Sequence, residues 1–371
     1  MLLERRQLRD FDWFLTALAV MIASFGVWQI YNAQPEQTYW QKQIIGIGIA
    51  LAAMFFVAFS DYRRLVQLAP IFYAVGLFVL LLVLVPGIGH KVNGQQAWIL
   101  IPGIGTFQPS EFAKIPTVLM LARFFGRARP RPLAWREIGV GLGILALPVG
   151  LILLEPDPGQ AMTYFPLLAV VIFLSAIRMW IVVAALVLMF VGVPAAYVVG
   201  VQTGVVKDYQ RQRVEVITNP EAADSRGYGY HTKQSIITVG KGGMTGAHSS
   251  SGFSQAQLKY LPEPHTDFIY AVTAENTGFV GSALLLLAYA VLLSKLVLDA
   301  RQAPDRTGML VIMAFVGGFL FSICLNVGMV LGLLPVIGVP LPLMSAGLSA
   351  VLSTFIAIGF AVSVQLRRFV N

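Results

Sequence analysis

GMLVIMAFVGGFLFSICLNVGMVLGL, residues 308–333, contains no charged side chain. A helix of about 20 apolar residues crosses the ~30 Å hydrocarbon core of a bilayer, so this run reads as a membrane span. Working outward from it, further apolar runs fall near residues 11–31, 43–59, 66–86, 111–125, 138–154, 159–176, 179–201, 268–294 and 346–366. The run at 111–125 is the weakest, being short and interrupted by Lys114. Together the runs predict an all-α, polytopic integral membrane protein of about ten transmembrane helices, a single transmembrane domain over residues 1–371.

Composition agrees. Of 371 residues, 57% are hydrophobic and only 12% charged, with a mean hydropathy of +0.74, far from the profile of a soluble domain. The first apolar run follows Arg5, Arg6 and Arg9 and extends beyond a signal-peptide core, so it reads as a retained helix. Cys324 is the one cysteine and lies within an apolar run, which excludes a disulfide framework and a cysteine metal cluster. The formal charge of +8 does not imply nucleic acid, because Lys and Arg collect in the cytoplasmic loops of membrane proteins.

Those basic residues set the orientation. Arg5/Arg6/Arg9, Arg63/Arg64, Arg123 to Arg136, Arg178, Lys295/Arg301/Arg306 and Arg367/Arg368 all fall on one side, predicted to be the cytoplasm, with both termini there. The opposite loops, 32–42, 87–110, 155–158 and 334–345, are poor in Lys and Arg. One long extracytoplasmic loop, 202–267 between the seventh and eighth spans, is basic against this bias, as an anion-binding surface would be. Within it, 240–252 (GKGGMTGAHSSSG) is rich in glycine and serine and is expected to be flexible.

Four segments on the predicted outer side carry chemistry. In Leu261-Pro262-Glu263-Pro264-His265-Thr266-Asp267-Phe268, two prolines stiffen a backbone bearing two acids and an imidazole. Thr266 or Asp267 can N-cap the following helix, and, without excluding this, a partly desolvated Asp267 can acquire a raised pKa and serve as a general base. In Gln108-Pro109-Ser110-Glu111-Phe112-Ala113-Lys114, Glu111 and Lys114 share one helical face. They form an intrahelical ion pair, or Lys114 meets a substrate phosphate in a polar cavity.

Glu155-Pro156-Asp157-Pro158-Gly159 forms a tight turn whose acids are either solvated turn residues or, with a carboxylate across the cavity, ligands of a divalent cation. In Asp208-Tyr209-Gln210-Arg211-Gln212-Arg213, two guanidiniums suit bidentate phosphate contacts or lipid headgroups. No phosphate-binding glycine loop of the ATP or dinucleotide type is present, so no nucleotide is expected. A group transfer outside the cell then calls for a substrate that carries its own activation, such as a lipid-linked pyrophosphate.

These motifs, with Gly227-Tyr228-Gly229-Tyr230-His231…Gln234-Ser235 and Gly240…Gly242-Gly243, resemble the SEDS family (shape, elongation, division and sporulation) over essentially the whole chain. Tyr209-Gln210-Arg211-Gln212-Arg213 and Ser254-Gln255-Ala256-Gln257-Leu258 look more like the elongation member RodA than the division member FtsW. The sequence departs where the family usually reads Ser-Tyr-Gly-Gly-Ser and this chain has Ser345-Ala346-Gly347-Leu348-Ser349; Glu275 is followed by Asn276 where many relatives pair two acids.

The resemblance implies a peptidoglycan glycosyltransferase for cell elongation and shape, polymerising lipid II onto a growing glycan strand at the outer face of the bacterial cytoplasmic membrane. It implies Asp267 as catalytic base in an inverting, single displacement. Lys114, Arg211 and Arg213 would neutralise the pyrophosphate, Glu111, Glu263, His265 and Ser345 would contact substrate, and Mg²⁺ or Mn²⁺ would assist, with Asp157 and Asp267 as candidate ligands. The implied partner is a class B penicillin-binding protein. The rival readings are a lipid II flippase, which needs polar groups at both faces and the midplane, and a non-catalytic scaffold, which needs neither Asp267 nor Lys114.

Overall fold

The computed structural model describes residues 9–92, 95–101, 105–127, 133–175, 177–187, 193–203, 228–247, 254–258 and 260–368. Among the described residues, six helices are long and apolar enough to cross a membrane. They are α1 (Trp13–Ala33), α2 (Tyr39–Phe59), α6 (Trp135–Leu154), α12 (Ile269–Arg301), α13 (Arg306–Val330) and α14 (Leu348–Leu366). Between them lie α3 (Tyr62–Gln67), α4 (Ala69–Leu84), α5 (Pro109–Gly126), α7 (Pro158–Met162), α8 (Phe165–Leu174), α9 (Met179–Val187), α10 (Val193–Gln202) and α11 (Tyr228–Lys241). The expected run at 159–176 is thus two pieces, α7 and α8, separated by Thr163 and Tyr164.

Helices dominate because every backbone polar group must be satisfied within the segment when lipid surrounds it. α14 is the most enclosed of the six, and it packs most extensively against α2. Large apolar side chains such as Phe56 (74% exposed) and Phe279 (64% exposed) project away from the bundle, as a lipid-facing surface requires.

The structure corrects the all-α expectation at 87–110. There β1 (Gly89–Val92), β2 (Gln95–Ile101) and β3 (Gly105–Phe107) form an antiparallel sheet in the order β1-β2-β3. The Nε2 of Gln95 on β2 donates to the carbonyl of Pro156 (3.1 Å), tying this sheet to the acidic turn after α6.

The expectation for the glycine-rich segment is corrected too, for its described part. α12 breaks at Gly278, whose φ of +67° suits glycine, and the freed N–H groups of Phe279 and Val280 are taken by the carbonyls of Gly243 (2.9 Å) and Met244 (3.1 Å). Any Cβ on Gly242 or Gly246 would collide with the carbonyls of Ala274 or Asn276. These glycines serve close backbone packing. Residues 248–252 lie outside the described residues.

Candidate active site

Segments 254–258, 260–268 and 334–347 lie near the β-sheet and the turn at 155–157 at one end of the bundle; hydrogen bonds join 265–266 to 345–346 and the sheet to Pro156. Asp267 precedes α12, whose N-cap position is Phe268 with no side-chain cap bond. The N-capping reading of Thr266 and Asp267 is therefore not what the structure shows. Backbone fixes Asp267 instead. Its carbonyl accepts from Asn326 Nδ2 on α13 (2.9 Å), the carbonyl of Thr266 accepts from Ser345 Oγ (2.7 Å), and that of His265 accepts from the Ala346 N–H (2.8 Å).

Among the described residues no donor reaches the Asp267 carboxylate. Burial pushes its pKa up to about 7, and the charges of Glu263 and Asp157 add to the rise. Glu263, half-exposed, and Leu343 both hold left-handed backbone (φ +40° and +68°) in the two segments flanking Asp267, the kind of strain that concentrates at functional sites. Gly338 (φ +69°) lies so close that a Cβ there would stand 3.3 Å from Asp267 Oδ2.

On the other side of residues 337–338 lies the acidic turn, where a Cβ on Gly159 would strike the carbonyl of Ile337. Asp157 is 4% exposed and accepts from Gln108 Nε2 (3.0 Å) and the Gln160 N–H (3.0 Å). Burial pushes it up to about 6, and the Glu111 charge contributes. Glu155 is fully buried, and neither of its carboxylate oxygens has a hydrogen-bond partner among the described residues. Burial, reinforced by Asp157, pushes it up to about 8.

Lys114 and Glu111 form the intrahelical pair at 3.0 Å on α5, both largely buried. They line a cavity of about 40 Å³ with Thr163, Ser322, Ser353 and Thr354, and Ser353 Oγ donates to Glu111 Oε2 at 3.4 Å. The ion-pair reading of Lys114 is what the structure shows, and the pair borders this cavity, whose other walls include Leu167, Phe315 and Phe319. His265 is 8% exposed and stacks on Tyr39, ring centres 4.0 Å apart and planes 15° from parallel; its Nε2 stands 3.9 Å from Glu263 Oε2.

Burial lowers the His265 pKa against the pull of Glu263. Ser345 is 1% exposed; its hydroxyl accepts from the Leu341 N–H (2.8 Å) while donating to the Thr266 carbonyl, which ties its loop to the Asp267 segment. Arg211 and Arg213 lie outside the described residues.

Sequence reasoning missed Gln43, Tyr39 and Asn326 as site-building residues. The available signal was an amide inside an apolar run, which within a membrane faces protein and marks a bonded position. Gln108 stood in a quoted motif but was given no role, although it grips Asp157.

Residues 9–368 match the FtsW/RodA/SpoVE cell cycle protein family. The chain belongs to this family. It is 35% identical over 355 residues, 95% of this chain and 92% of the relative, to the peptidoglycan glycosyltransferase MrdB of Escherichia coli K12. Among solved structures it resembles a chain of a peptidoglycan synthase complex, in a study of coordinated polymerization and crosslinking, with TM-score 0.82 and 30% identity over 97% of this chain and 99% of that one. It also resembles the rod shape determining protein RodA of Thermus thermophilus, with TM-score 0.69 and 28% identity over 97% and 98%. The FtsW/RodA/SpoVE membership covers every described segment of the site, including α2 and α14 as well as the motif-bearing loops.

Proposed function

We infer that this chain is a peptidoglycan glycosyltransferase that polymerises lipid II at the extracytoplasmic face of the bacterial cytoplasmic membrane. The observation that carries the reading is Asp267, a carboxylate fixed through its backbone and unclaimed by any described donor. Its pKa near 7 suits a base that is ionised at neutral pH and still basic enough to accept a proton.

In the reaction, the acceptor sugar hydroxyl gives its proton to Asp267 as its oxygen bonds to the anomeric carbon of the growing chain. The bond from that carbon to the lipid pyrophosphate breaks with inversion. Lys114 at the cavity edge, together with Arg211 and Arg213, supplies positive charge toward the departing pyrophosphate.

The donor set supports a divalent cation shared with substrate rather than a resident metal. No three His, Cys, Asp or Glu side chains converge among the described residues, whereas Mg²⁺ is commonly held by one or two carboxylates plus substrate phosphates. Asp157, beside the base, would hold it together with the substrate phosphates, and it would screen the pyrophosphate charge.

A groove of about 390 Å³ between α2, α4, α5 and α14, lined by Phe56, Phe72, Val79, Phe112, Leu119 and Phe360 among others, suits an apolar lipid tail. Ten spans with both termini cytoplasmic place Asp267 outside, by the distribution of Lys and Arg. The likeness to a chain of a synthase complex supports a class B penicillin-binding protein as partner.

The test is glycan formation from lipid II and a divalent cation by the purified chain, with and without that partner, against Asp267→Asn. Polymer from the native chain and none from a membrane-inserted variant is the expected result. Equal polymer from both overturns the base assignment, and no polymer from either, with the partner present, overturns the transferase reading.

A further inference from the structure

We propose that Gln43, near the start of α2, is a positioning residue for Asp267, acting through the loop at 345–347. The proposal rests on the assignment of Asp267 as catalytic base. Gln43 is 3% exposed. Its Nε2 donates to the carbonyl of Ser345 (3.0 Å), and its Oε1 accepts from the N–H of Gly347 (3.1 Å). One side chain thus satisfies a donor and an acceptor of the same short loop.

That loop has two further grips, and both hold the segment ending in Asp267. Ser345 Oγ donates to the Thr266 carbonyl and the Ala346 N–H donates to the His265 carbonyl. The contacts therefore run from Gln43 to residues 345–347, from these to residues 265–266, and so to the next peptide. Four residues before Gln43 on the same helical face, Tyr39 stacks on the His265 ring. The first turns of α2 meet the base-bearing segment twice, once by ring contact and once through the loop.

The loop needs an external hold. Leu343 (φ +68°), two residues before Ser345, holds left-handed backbone that a non-glycine residue keeps only where its surroundings fix it. Without Gln43 the carbonyl of the buried Ser345 loses its donor and the N–H of the exposed Gly347 turns to water, so the loop relaxes to satisfy the carbonyl elsewhere. A shift of about 1 Å at reacting groups costs on the order of 100-fold in rate. Because Gln43 itself points at backbone, its loss is expected in kcat with little change in KM for lipid II.

The experiment compares native chain, Gln43→Leu, Gln43→Glu and the exposed neighbour Gln41→Leu in lipid II polymerisation across pH 6 to 8, each confirmed as folded by thermal stability in detergent. Gln43→Leu should lose roughly 10- to 100-fold in kcat, and Gln41→Leu should match the native chain. Gln43→Glu is the discriminating variant. An ionised glutamate accepts from Gly347 but cannot donate to Ser345, whereas a protonated one does both.

Its activity relative to the native chain should therefore rise as the pH falls, while Glu263, His265 and Asp267, the titratable groups of the held segment, change alike in both proteins. A flat ratio, or native kcat in folded Gln43→Leu, overturns the proposal. If Gln43→Leu does not fold, the pH trend of Gln43→Glu decides alone. Should native polymerisation be unaffected by Asp267→Asn, the base assignment fails, and the Gln43 result then reports on the loop and not on the base.

Discussion

The two ends of the bundle differ in how completely their acids are paired: near Asp267, Glu111 and Glu275 meet Lys114 and Lys241 (3.0 and 3.2 Å), but Glu155 and Asp267 meet no cation among the described residues. At the end away from Asp267, carboxylates meet cations. Lys295 on α12 bridges Asp12 and Asp299, Asp305 takes Tyr62 OH (2.6 Å), Arg63 Nε (3.2 Å) and the Gly308 N–H (2.7 Å), and Asp61 faces Arg367 at 3.5 Å. At the Asp267 end, Glu155 is buried with both oxygens unpartnered, and the Asp267 carboxylate has no donor, in both cases among the described residues. Paired acids hold helices in place. Unpaired acids in a partly buried cluster cost stability and are retained where chemistry needs them.

Asp267→Asn should break that contrast most strongly. Loss of a general base costs about 10²- to 10⁴-fold, read as initial rates of glycan formation, while the protein remains folded because no described partner is lost. The native rate should rise with pH through about 7, since the base works only when ionised and burial holds its carboxyl there. A rate that is flat between pH 6 and 8 would remove Asp267 from the rate-limiting step.

At the opposite end the expected effect is on folding. Lys295→Met leaves Asp12 and Asp299, both under 10% exposed, without their shared cation. Breaking such a pair costs on the order of 3 kcal/mol, measurable as a lowered denaturation midpoint in detergent. Polymerisation per folded molecule should stay near native. If activity falls while stability does not, the two ends are not separable in the way their acid pairing suggests.

The same contrast explains what was legible in the sequence. The spanning helices α1, α2, α6, α12, α13 and α14 announce themselves because crossing lipid needs some 20 apolar residues in a row, a signal that is local and long. Strands β1 and β3 are four and three residues long and carry too little pattern to be read. Gly242 and Gly246 read as looseness because glycine looks alike in a mobile linker and in a backbone contact; only the nearness of Ala274 and Asn276 separates the two. At the site, acids and lysine stand out against an apolar background. The roles of Gln43 and Asn326 depend on partners 302 and 59 residues away, which no local window contains.

A pH-dependent stability effect sharpens the contrast at Glu155. Its pKa is raised from the ordinary carboxylate value to about 8 by burial, so the folded state holds a proton that the unfolded chain releases near pH 4 to 5. A raised acid contributes most favourably below its unfolded pKa, and that contribution is lost as the pH climbs toward its folded value. Glu155→Gln keeps the shape of the protonated acid and has no charge to bury.

Its stability relative to the native chain should therefore grow with pH between about 5 and 8, by at most roughly 1.4 kcal/mol per pH unit, and level off above that window. Chemical denaturation in detergent at pH 5, 7 and 9 measures it. A constant difference across the three would mean that Glu155 is ionised throughout and meets a cation. The acids at the two ends would then be held by the same means, and the unpaired cluster around Asp267 would shrink to Asp267 alone.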